Sequence, residues 1–70
     1  MKLISKVTME NTQDSHCKMW EISWFDNDLI VTEWGSLLSD ARQSKSFPKA
    51  GEKFFNKKIA EKIKKGYEIV

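Results

Sequence analysis

A chain of 70 residues carrying three Trp, four Phe and one Tyr forms one small domain, residues 1–70, in which large rings compensate for limited length. It has no room for a second domain or for a deep cleft walled on all sides. Its net charge of +2 is too small to argue for nucleic acid by itself, and the lone Cys17 excludes an internal disulfide.

Lys2 to Met9 alternates loosely, with Leu3, Ser5, Val7 and Met9 on one face, and Val7 and Thr8 suit a first strand, either at a sheet edge or within the sheet. Glu10 to Ser15 is a polar cluster without a period and predicts a loop. From Lys18 to Phe25, Trp20, Ile22 and Trp24 alternate with Glu21 and Ser23, the period of a half-buried strand. Asp26-Asn27-Asp28 predicts a turn, because short Asx side chains tolerate the required dihedrals and bond their own backbone. Leu29 to Trp34 resumes as a strand, so an antiparallel hairpin is the natural connection. Trp34-Gly35 then predicts a strand end, with glycine admitting a backbone conformation that a Cβ resists. Leu37 and Leu38 follow in a loop, exposed unless they tuck beneath it.

Arg42 to Phe47 predicts a further strand, with Gln43, Lys45 and Phe47 on one face and Arg42, Ser44 and Ser46 on the other. Pro48 ends the ladder and suits a first helical turn. Lys49 to Lys65 predicts one long C-terminal helix with Phe55, Ile59 and Ile63 as its inward stripe. Phe54 projects away from that stripe, either packed by another segment or exposed as a stacking ring. Gly66 supplies the left-handed residue that ends the helix, and Tyr67 to Val70 either returns as a short strand or packs beside it. The order of elements predicts an α+β fold, a small antiparallel β-sheet packed against one helix.

Charge is unevenly distributed: Lys and Arg dominate from Arg42 to Lys65, opposed only by Glu52 and Glu61. That asymmetry suggests a basic surface able to face phosphates, and a solvated helix face explains it too. His16 and Cys17 are too few to close a tetrahedral zinc site, so no metal and no cofactor is expected. Ser36, His16 and Asp40 contain the side chains of a hydrolytic triad, but they fall on loops of a domain too small to shelter them. An enzyme is therefore not expected. The N-terminus has neither the long apolar core nor the cleavage site of a signal peptide, and no apolar run approaches a bilayer span. A cytoplasmic protein without a membrane partner is the expectation.

Lys18-Met19-Trp20-Glu21-Ile22, then Thr32-Glu33-Trp34-Gly35, then Gln43 to Phe47, then Glu61 to Tyr67 (EKIKKGY) follow one another in an order that resembles the WGR domain. This small module is named for a Trp-Gly-Arg motif and occurs in poly(ADP-ribose) polymerases and many bacterial proteins. The resemblance covers about Lys18 to Tyr67, with Leu3 to Met9 matching the family's first strand. It implies a compact non-catalytic module that binds DNA or RNA at strand ends or breaks, with Trp34 at the position of the motif ring that stacks on a terminal sugar. The motif's Arg position holds Ser36, whose hydroxyl cannot give the bidentate charged contact of a guanidinium. Leu38 stands where the family has a glycine, and Arg42 precedes Gln43 where the family has Gly-Gln. The expected nucleic-acid contacts are therefore Trp34, Ser36, Arg42, Lys45 and Lys18, with Lys49 or Lys53 nearby and Arg42 replacing the missing charge. The alternative is a protein-interaction adaptor for a larger nucleic-acid-processing enzyme, using Leu37, Leu38 and Phe54, with Trp34 structural.

Overall fold

A computed structural model describes residues 2–12 and 17–70, so His16 and most of the β1–β2 connection lie outside the described residues. Strands β1 (Leu3–Asn11), β2 (Lys18–Phe25), β3 (Ile30–Ser36) and β4 (Arg42–Phe47) are followed by helix α1 (Gly51–Lys64) and a two-residue strand β5 (Glu68–Ile69). The sheet is antiparallel throughout, in the order β4-β3-β2-β1-β5. The fold is thus α+β, one sheet and one covering helix.

The period of two in the strands decides which residues meet the helix. Register aligns Met9, Trp20, Trp34 and Gln43 in one row, Val7, Ile22, Thr32 and Lys45 in the next, and Ser5, Trp24, Ile30 and Phe47 in the third. These rows carry the core: Met9, Ile22 and Ile30 are wholly buried, with Trp20 and the helix residue Phe55 close to it. Residues of opposite parity, the buried Met19 apart, form a more solvated face, where Lys6 pairs with Glu21 at 3.4 Å and the Thr8 hydroxyl donates to the same carboxylate at 2.8 Å.

Several expectations shift. β1 lies at the sheet edge only in its first part, because the two-residue β5 pairs with it at Met9 and Glu10. It also runs through Asn11 rather than ending at Met9: Asn11 pairs with Lys18, and its Nδ2 donates to the Lys65 carbonyl at the helix end. An irregularity between Leu3 and Ser5 takes Leu3 off the inner face. The helix starts at Gly51, not Lys49: the left-handed dihedral of Lys49 (φ 57°) breaks the chain before it, and Gly51 is itself left-handed (φ 76°) as the first residue. At its far end Gly66 is left-handed (φ 98°) as expected, and the Gly66 and Tyr67 amides donate to the Ile63 and Lys62 carbonyls in a Schellman closure.

The inward stripe of α1 is also displaced. Ile63 is 52 % exposed, whereas Lys62 turns inward. Positions four apart drift by about 40° around a helix, so the third member of a Phe55-Ile59-Ile63 stripe lies well off the line of the first. Phe54 pulls the contact face the other way by packing on Phe47, ring centres 4.7 Å apart, while Trp24 packs on Phe55 at 5.6 Å.

Candidate functional site

The site begins at the Trp34-Gly35 step. Gly35 does not end the strand; it remains in β3, paired with Met19 and Arg42. It also lacks a left-handed dihedral, so the reason for a glycine is space: a Cβ there would sit 2.5 Å from the Ala41 carbonyl oxygen. The β3–β4 loop thus folds tightly back on the strand. Arg42 fixes that loop, its Nη1 donating to the carbonyls of Ser36 (3.1 Å), Ser39 (2.9 Å) and Ala41 (3.2 Å). Ser36 is used similarly: its hydroxyl donates to the Cys17 carbonyl at 3.4 Å and accepts from the Leu38 amide at 3.0 Å.

Strand parity sends Arg42 to the face opposite the helix, while Trp34, Lys45 and the neighbouring Lys18 stay on the helix side. There they line a groove of about 390 Å³ between the sheet and the C-terminal half of α1. Helix α1 contributes Lys58 and Lys62, its C-cap contributes Lys65, and the aromatic lining comes from Trp20, Trp34, Phe47 and Tyr67. Lysines at 58, 62 and 65 are spaced as neighbours on one helical face, which was the signal available in the sequence for these three.

Five ammonium groups around one concavity raise the local potential. Lys62 records it: burial lowers its pKa from the ordinary 10.5, Lys65, Lys58 and Lys18 lower it further, and Glu61 opposes them. Its Nζ lies 5.4 Å from the ring centres of both Trp20 and Tyr67. Lys45 lies 5.3 Å over Phe47, and Lys58 5.4 Å over Phe54. Glu61 is the acid on the rim, loosely paired with Lys58 at 3.8 Å. An arrangement of this kind suits an anion flanked by a planar or apolar group.

Of the expected contacts, then, Trp34, Lys18 and Lys45 converge. Ser36 sits one step away, its hydroxyl engaged in the loop, and Arg42 points elsewhere. Lys49 and Lys53 do not line the groove. Phe54 is a packed ring rather than an exposed one. Asp26-Asn27-Asp28 makes the expected turn, with the Leu29 amide donating to Asn27 Oδ1 and Trp24 Nε1 to Asp28 Oδ1. Among the described residues no helix is long and apolar enough to cross a membrane. The chain matches no protein-family model, no curated protein and no solved structure.

Proposed function

We propose that this chain is a non-catalytic, WGR-like module that binds nucleic acid in the groove between sheet and helix. The observation that carries the reading is the convergence of Lys18, Lys45, Lys58, Lys62 and Lys65 on one concavity that also holds Trp34. Lysines supply sequence-independent phosphate contacts, and a half-buried ring adjoining them supplies a stacking surface. Arg42 and Ser36 enter this reading as residues that hold the β3–β4 loop beside the ring, not as phosphate ligands.

Titration with a fluorescent oligonucleotide over a range of salt concentrations tests it. Affinity falls steeply with salt, and Lys45→Ala reduces the slope by about 1. Trp34→Ala weakens binding by about 1–3 kcal/mol. A salt-independent or absent interaction refutes the reading.

A second reading, a protein-interaction adaptor, rests on Leu38, which is 83 % exposed at the loop tip. It predicts capture of a protein partner that survives nuclease treatment and is lost in Leu38→Asp.

A further inference from the structure

A second concavity, of about 350 Å³, adjoins the lysine groove and shares Lys18, Trp34 and Tyr67 with it. Its remaining walls differ in kind. Met19, Gly35, Leu38 and Cys17 give it a mainly apolar lining, with Ser36 as the polar exception. Trp34 and Tyr67 therefore stand between a cationic space and an apolar one, and Lys18 borders both. Leu38 forms the outer lip, where an isobutyl side chain left 83 % in water has little packing to gain from the domain itself.

A ligand that satisfies both spaces carries a phosphate directly beside a flat, weakly polar group. In a nucleic-acid duplex the bases are paired and stacked inside the helix, so away from the ends only their groove edges and the backbone reach the surface, and no internal base presents a free face. Placing a duplex base in a protein slot requires unpairing and unstacking it, at a cost of a few kcal/mol that an unpaired strand does not incur. Resting on the nucleic-acid reading above, we infer that the ligand is single-stranded, with one unpaired base in the slot under Leu38 and its flanking phosphates among the groove lysines. The tight return of the β3–β4 loop over Gly35 is what brings Leu38 to the slot, so the same contacts that occupy Arg42 and Ser36 build its wall.

The experiment compares three probes on the intact chain: an oligothymidylate, the blunt duplex it forms with its complement, and an abasic sugar–phosphate strand of equal length. The oligothymidylate binds roughly tenfold or more tightly than either of the others. Leu38→Asn, which puts an uncharged polar group at the mouth of the slot on an exposed loop, removes most of that preference. Cys17 gives an independent readout, since it is a free, half-buried cysteine that lines the slot. Saturating oligothymidylate slows its alkylation by iodoacetamide, and the abasic strand does not.

Equal affinity for strand and duplex overturns the inference while sparing the nucleic-acid reading, and so does equal affinity for the thymidylate and abasic strands. Cys17 alkylation unaffected by bound oligothymidylate also overturns it. Failure of every probe to bind overturns both.

Discussion

Gly35→Ala tests the geometry on which both concavities depend. The added methyl would lie 2.5 Å from the Ala41 carbonyl oxygen and 3.2 Å from the Cδ and Nη1 atoms of Arg42. The Arg42 side chain can move, but the Ala41 oxygen is backbone, so the loop or the β3–β4 pairing must shift. Forcing a methyl into a packed position costs about 1–3 kcal/mol. For a domain of this size each kcal/mol lowers the melting temperature by about 4–8 °C, so a fall of roughly 5–20 °C is expected. Thermal and urea unfolding followed by tryptophan fluorescence measure it. Gly35→Asn distinguishes the physical cause: asparagine tolerates left-handed dihedrals but occupies the same forbidden volume, so it fares no better than alanine. A change of less than about 2 °C in Gly35→Ala, or rescue by asparagine, refutes the close-approach argument.

Lys62→Met keeps an apolar stem against Trp20 and Tyr67 and removes the ammonium that burial and three neighbouring lysines disfavour. The variant is at least as stable as the parent at neutral pH by urea unfolding, and it binds oligonucleotide more weakly. The parent's lowered Lys62 pKa means that the unfolded chain binds more protons there between the lowered value and 10.5. Its contribution therefore makes stability rise with pH across that window, and comparison of alkaline unfolding curves shows the rise diminished in Lys62→Met. Glu61→Gln removes the rim carboxylate that competes for Lys58, so binding tightens in the titration with fluorescent oligonucleotide. Arg42→Ala lowers the unfolding midpoint by freeing three loop carbonyls, yet leaves the salt slope of binding unchanged; a reduced slope would place the guanidinium on a phosphate instead.

Much of the architecture was legible in the chain. β2 and β4 begin and end where the alternation of Trp20, Ile22 and Trp24 and of Gln43, Lys45 and Phe47 places them. This works because a strand with one buried face imposes a period of two on its own sequence. Gly66 marks the helix end for an equally local reason, its left-handed dihedral. The helix face was less legible: Phe55 and Ile59 pack inward as read, but Ile63 does not, because the Phe54–Phe47 contact rotates the packed face towards Lys58 and Lys62.

For Gly35 the sequence determined that a small residue follows Trp34, and the tertiary structure decided why. Its constraint comes from the Ala41 carbonyl, across a loop whose path no local pattern encodes. The groove follows the same division. Alternation alone places Trp34 and Lys45 on one face of the sheet, and helical spacing alone places Lys58, Lys62 and Lys65 on one face of α1. Only the packing of helix on sheet brings those two faces together, since the contacts that orient them join residues far apart in the chain.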